Sequence, residues 1–273
     1  MKGLFVASDC FFIFSFVKNQ TLTNIIEVKN LVKNYDQIQA VRGISFNVIK
    51  GEVFGLLGPN GAGKTTTLEI IETLREKSSG EVFVNGLSID KDTNAIKQLI
   101  GVQLQSAGYY PNLTLNELLD LFAGLYNRKI NNIEMLGRVG LEEKEKAKYK
   151  ELSGGQKQRF SICTTLINEP LIIFLDEPTT GLDPQARRNL WELIRNIRDR
   201  GTTVVITTHY MDEAENLCDR VAIIEKGKII ASGTPEQLID TLVSTGFERK
   251  KEVKKANLED VFLSLTGHEY RDE

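Results

Sequence analysis

From Asn24 onward, short β-branched runs alternate with stretches whose apolar residues recur at helical spacing. This is the pattern of an α/β domain with parallel strands. Ile25 to Val28, Ile44 to Val48 and Glu81 to Val84 read as short strands, the last following the turn signal Ser78-Ser79-Gly80 and ending at Asn85-Gly86. They predict an antiparallel edge region. Between Leu113 and Leu166 the period becomes helical, with Leu115, Leu118, Leu119 and Phe122 at i, i+3, i+4 and i+7. Thr114 and Glu117 supply a capping box for that helix. Leu136, Val139 and Leu141 follow, then a solvated charge run from Glu142 to Lys150, then a glycine pair that opens another helix. A helical subdomain is expected over about 106–166.

The α/β pattern resumes at Leu171 to Leu175, five consecutive apolar residues suited to a strand buried on both faces of a parallel sheet. A helix with Leu190, Leu193, Ile194 and Ile197 on one stripe comes next, then strands Thr203 to Thr207 and Val221 to Ile224, and a hairpin through Lys226-Gly227 into Lys228 to Ala231. These elements place the main domain at 24–234 and a C-terminal extension at 235–273. The extension has helical stretches and a mixed charge run, Glu248 to Lys255. Residues 1–23 form a leader of uncertain status. Its apolar stretch, Leu4 to Val17, is interrupted by Ser8, Asp9 and Cys10 and is shorter than the roughly 20 residues a spanning helix needs. It also lacks a small-residue cleavage site.

Composition narrows the class without changing this picture. The 273 residues are 41% hydrophobic and 26% charged, which excludes a disordered, collagen-like or polytopic membrane chain. Three cysteines far apart, Cys10, Cys163 and Cys218, give neither a disulfide scaffold nor a CxxC zinc site and suit a reducing compartment. Lys plus Arg total 34 against 37 Asp plus Glu, so no global charge draws the chain to nucleic acid.

The chemistry starts at Gly58-Pro59-Asn60-Gly61-Ala62-Gly63-Lys64-Thr65, followed by Thr66. It fits G-x-x-x-x-G-K-[ST] and lies between the apolar strand Val53 to Leu57 and a helical run from Thr66 to Leu74, the context that a phosphate loop requires. Glycines let backbone N–H groups curl around phosphate oxygens, and the helix N-terminus adds favourable partial charge. Lys64 is expected at the β and γ phosphates, and Thr65 at Mg²⁺ through its hydroxyl. A magnesium nucleotide site also needs a carboxylate at the end of a neighbouring strand. Asp176 and Glu177 follow Leu171 to Leu175 directly, with Asp176 expected in the Mg²⁺ shell and Glu177 at the attacking water.

Leu152-Ser153-Gly154-Gly155-Gln156 would form a second anion nest at a helix start. At this stretch the sequence resembles the ATP-binding-cassette (ABC) ATPase family, over about Ile25 to Thr234. The resemblance implies a P-loop NTPase fold of α/β class: a mixed sheet core, an antiparallel β subdomain and an α-helical subdomain. It implies ATP and Mg²⁺ as ligands, with Ser153, Gly154, Gly155 and Gln156 of one copy facing the phosphate loop of another. Tyr35 matches the aromatic that stacks on adenine, and Asp183, in Thr180-Gly181-Leu182-Asp183-Pro184, the loop that bridges two subunits. His209 matches the switch histidine near the γ-phosphate. Gln105 matches the glutamine that approaches Mg²⁺ and water. The usual proline before it is missing, and Gln103 keeps a second register open.

The same resemblance implies an ATP-hydrolysing subunit, dimeric or paired with a second ATPase subunit, that drives a separate transmembrane permease from the inner face of the membrane. Docking is expected near Gln105 and Tyr109-Tyr110-Pro111. The tail from Ala256 to Gly267 looks like the C-terminal extension of ABC-2 type, drug-exporter-like subunits, which favours export. The rival is a soluble ABC ATPase acting on DNA or ribosomes. Lys64 and Ser153 are separated by one helical subdomain without sustained heptads, unlike the long coiled coils of DNA-repair members. A nucleotide-binding regulator without turnover is a third reading, and retention of Glu177 and His209 argues against it.

Overall fold

The computed structural model describes residues 23–103 and 108–247. Gln105, nearly all of the leader and the tail from 248 onward, with its Ala256–Gly267 motif, lie outside the described residues. Two compact units divide the chain, 1–235 and 236–273, and the described part of the second is mainly one helix.

The first strands are longer than the apolar pattern implies: β1 spans Asn24–Tyr35 and β2 spans Ile38–Ile49. They pair antiparallel through several register shifts, one of them between Val28 and Leu31, where Asn30 adopts a positive φ of 48°. β3 (Val53–Leu57) is buried at every position and leads through the glycine-rich loop into α1 (Lys64–Ile71). β4 (Ser79–Val84) takes in the serine and glycine read as a turn, and pairs with β1 and with the short β5 (Leu87–Ser88). Gly80 is needed inside it, because a Cβ there would meet Asn30 O at 2.4 Å. α2 (Thr93–Leu99) then enters β6 (Ile100–Gln103).

The helical part holds α3 (Leu115–Leu125), α4 (Asn132–Gly137), two short 3₁₀ turns within 142–151, and α5 (Gly154–Thr165). The predicted capping box is formed: Thr114 Oγ1 accepts from Glu117 N at 3.2 Å, and Glu117 Oε2 accepts from Thr114 N at 2.8 Å. Leu115, Leu118 and Leu119 are buried, as their spacing requires. After it come β7 (Ile172–Asp176), α6 (Pro184–Asp199), β8 (Thr203–Thr208), α7 (Met211–Leu217), β9 (Arg220–Glu225) and β10 (Lys228–Gly233). α8 (Pro235–Ser244) lies almost wholly in the second unit.

Among the described residues the strands form two sheets, an antiparallel one ordered β2-β1-β4-β5 and a mixed one ordered β10-β9-β3-β8-β7-β6. The neighbours β9, β3, β8, β7 and β6 run parallel, and β10 is antiparallel to β9. β3, β7 and β8 are buried at every residue, as expected for strands covered on both faces. The core spans both sheets: Ile26, Leu31 and Val84 from one join Phe54, Phe174 and Val205 from the other, with Leu68 and Ile71 of α1. Phe46 of β2 stacks on Phe54 of β3 with centroids 5.5 Å apart. Each such side chain contributes about 1.5–3 kcal/mol by leaving water.

The order β3-β8-β7 positions the site. Leu56 pairs with Thr207, and Thr207 pairs with Asp176. The carboxyl ends of three adjacent parallel strands therefore lie level, where open α/β sheets bind ligands.

Candidate active site

The loop between β3 and α1 is shaped by close backbone approaches that only glycine permits. A Cβ on Gly58 would meet Ile224 O at 2.2 Å; one on Gly63, whose φ is +105°, would meet Ala40 O at 2.6 Å. Gly63 is also the N-cap of α1, with no side-chain cap and no acidic residue in the first turn. The uncapped amides of that turn are thus free for an anion. Lys64 is only 4% exposed. Its ammonium folds back over the loop, donating to Gly58 O at 2.8 Å and Pro59 O at 3.2 Å. Ala40, Asn60, Gly61, Gly63, Lys64, Thr65, Thr66 and Glu177 line a cavity of about 480 Å³, within the usual range for a small-molecule site. A larger cavity, about 570 Å³, lies beyond the other end of α1 beside Leu74, Arg75 and Asp90; none of the residues at 58–65 lines it, so it is not the phosphate site.

The two carboxylates diverge. Asp176 is buried at the end of β7, accepting from Thr207 Oγ1 and, at 3.3 Å, from Thr65 Oγ1. Burial raises its pKa above the ordinary carboxylate value, against the opposing hydrogen bonds from Thr207 and Thr65. Glu177 adopts a positive φ of 48°, and its amide donates to Thr207 Oγ1 at 3.0 Å. Its side chain turns the other way. Oε1 lies 3.5 Å from Lys64 Nζ and Oε2 lies 3.3 Å from His209 Nδ1, the latter without hydrogen-bond geometry. Thr180 donates to Oε2 at 3.3 Å.

A divalent cation can be tested against the Thr65–Asp176 corner. Among the described residues no group of three or more His, Cys, Asp or Glu is arranged to hold a metal ion. One hydroxyl and one carboxylate oxygen remain, a hard-oxygen pair of the kind Mg²⁺ uses when phosphates and waters complete its octahedron. The donor set fits.

Other predicted residues lie outside this cavity. Ser153 is the exposed N-cap of α5: its hydroxyl accepts from Gln156 N at 3.3 Å, and Gln156 Oε1 accepts from Ser153 N at 3.0 Å. Ser153, Gly154, Gly155 and Gln156 do not line the cavity holding Lys64. Asp183 caps α6, accepting from Ala186 N at 2.7 Å. Tyr35 ends β1, and its ring is approached by Lys33 Nζ at 5.0 Å and the Arg75 guanidinium at 5.3 Å. Gln103, the alternative glutamine, ends β6 with its Oε1 buried and unpartnered. Thr207 was not singled out by sequence, although its hydroxyl bonds the Asp176 carboxylate and the Glu177 amide; β8 reads TVVITT, and nothing local sets this threonine apart from Thr203 and Thr208.

This assembly defines a P-loop nucleotide-binding domain of α/β class. The family model for ABC transporter matches residues 41–180. The linearmycin resistance ATP-binding protein LnrL of Bacillus subtilis (strain 168) is 42% identical over 223 residues, covering 80% of this chain and 72% of that protein. A Nod factor export ATP-binding protein I of Burkholderia orbicola (strain AU 1054) is 36% identical, covering 90% and 98%. The dimeric post-hydrolysis structure of the ATP-binding cassette MJ0796 with ADP and Pi superposes with a TM-score of 0.69 at 28% identity, covering 77% of this chain and 98% of that one. The chain belongs to the ABC transporter family, as its ATP-binding and ATP-hydrolysing cassette.

Proposed function

We propose that this chain energises an exporter, closing on a second cassette when it binds Mg–ATP and opening after hydrolysis. The observation that carries the reading is the meeting of Lys64 and Glu177 at the cavity that the phosphate loop lines, with His209 against the same Glu177 carboxylate. Thr65 and Asp176 would hold Mg²⁺, which would supply charge neutralisation for the triphosphate. Lys64 exchanges its backbone acceptors for phosphate oxygens. Glu177, no longer facing a bare ammonium, accepts the proton of the attacking water. His209 donates toward the γ-phosphate, and Gln105 orients the water. Tyr35 stacks on adenine.

Pairing is supported by the exposure of Ser153 and Gly154, whose helix start offers a second anion nest outside the chain's own cavity. Asp183 at the start of α6 would meet the partner cassette. MJ0796 with ADP and Pi is dimeric. The relatives named for linearmycin resistance and Nod factor export support an exporter. No helix among the described residues is long and apolar enough to cross a membrane; in this reading a separate permease carries the substrate, with the chain on its cytoplasmic side. A mainly apolar recess beside Tyr110, Pro111 and Leu121, where Tyr110 is 64% exposed, suits its docking.

Glu177→Gln tests this reading. The variant should bind ATP, release no phosphate, and persist as a dimer in sedimentation. Undiminished phosphate release overturns the assignment.

A further inference from the structure

Glu213 is a carboxylate that the hydrolytic scheme above does not use. It sits on α7 at 0% exposure, four residues after His209. Its Oε1 accepts from Trp191 Nε1 of α6 at 3.3 Å, whereas Oε2 has no hydrogen-bond partner. The hydroxyls of Thr208 and Thr179 lie beside it and favour its charged form, yet burial outweighs them and raises its proton affinity. Thr208 immediately precedes His209. Thr179 follows Glu177 by two residues, is itself 0% exposed, and has an unpartnered hydroxyl.

The same two helices are joined at a second place. Arg187 of α6 pairs with Asp212 at 3.0 Å and lies 4.6 Å from the centre of the Tyr210 ring. α6 thus grips Asp212 and Glu213 on α7 and Tyr210 just before it. A half-paired buried carboxylate is costly, and filling space between two helices needs no charge.

We propose that Glu213 is a positioning residue for hydrolysis, fastening α7 to α6, the helix that the loop from Glu177 to Asp183 enters, so that His209, Glu177 and Asp183 hold one register. The inference rests on the roles proposed above for His209 and Glu177. It locates the link between the loop that faces a partner cassette and the switch histidine inside a single chain.

The test is made on the full chain purified with its membrane partner, measuring phosphate release, KM for ATP and thermal melting. Glu213→Ala should lower kcat roughly ten- to a hundredfold, the scale of a small displacement of reacting groups, with KM within about twofold. Glu213→Gln keeps the acceptor for Trp191 and should recover most of the rate. Wild-type kcat in a folded Glu213→Ala variant overturns the proposal, as does an equal loss in both variants with weakened ATP binding. Should Glu213→Ala fail to fold, Trp191→Phe decides, since it removes the indole donor and keeps an aromatic ring between the helices. A lower kcat at unchanged KM supports the link, and wild-type kinetics rejects it. Lys64→Ala separates the two layers: phosphate release that survives it rejects the nucleotide-site reading itself.

Discussion

Thr207 donates its hydroxyl to Asp176 and takes the amide hydrogen of Glu177 on the same oxygen, at 3.0 Å. One buried side chain in β8 therefore orients both carboxylates at the end of β7. Thr207→Val preserves shape and removes both bonds. It should cost about 1–3 kcal/mol of stability, the scale for an abandoned buried polar group, and lower kcat more than ATP affinity. Chemical denaturation and steady-state kinetics on one preparation read both effects, and a variant as active and stable as the parent contradicts the role given to Thr207.

Ser153 is an N-cap before it is anything else. Ser153→Ala should destabilise the chain by about 1 kcal/mol through loss of the cap and abolish ATP-driven pairing. Ser153→Asp retains a capping oxygen but sets negative charge against the partner's nucleotide, so it should melt near the parent and still fail to pair. Calorimetry and sedimentation with Glu177→Gln as background distinguish stability from assembly. An Asp variant that dimerises on ATP contradicts the shared-site reading.

Glu72 gives a pH-dependent prediction. It is buried at the C-terminal end of α1, and burial first, then the charges of Asp176 and Glu69, push its pKa up to about 8. The folded state therefore binds this proton more tightly than the unfolded chain, whose Glu titrates near 4.3. Its linkage contribution is most favourable below about pH 4 and is lost as pH rises toward 8. Glu72→Gln should thus gain stability over the parent as pH increases from 5 to 8, by up to a few kcal/mol at about 1.4 per pKa unit. Melting curves of the nucleotide-free proteins across that range check the sign, and parallel curves contradict it.

The phosphate loop, the carboxylate pair and the buried strands were legible because each joins a local motif to an uninterrupted apolar run. Leu171 to Leu175 and Val53 to Leu57 behave as their hydrophobicity demands. β1 and β2 were read too short for a definite reason. The register shift after Val28, with Asn30 at positive φ, reverses which side chains face inward, and a period-two reading stops where the alternation breaks. α2 and α7 hold seven residues each, too few to establish a helical period. Thr207 escaped notice because its importance depends on β8 lying between β3 and β7. That order is tertiary, and nothing in the strand's own composition encodes it.

The placement of β8 has a mechanical consequence. Its backbone carbonyls receive Gly58 N at 3.2 Å on one side and Glu177 N at 3.2 Å on the other, and its next residue is His209. At its opposite end, Thr203 Oγ1 holds Gly51 N at 2.9 Å. A slide of this single central ribbon would carry proton acceptor, cradle and switch out of alignment together, which ties turnover to the contacts at the strand's far end.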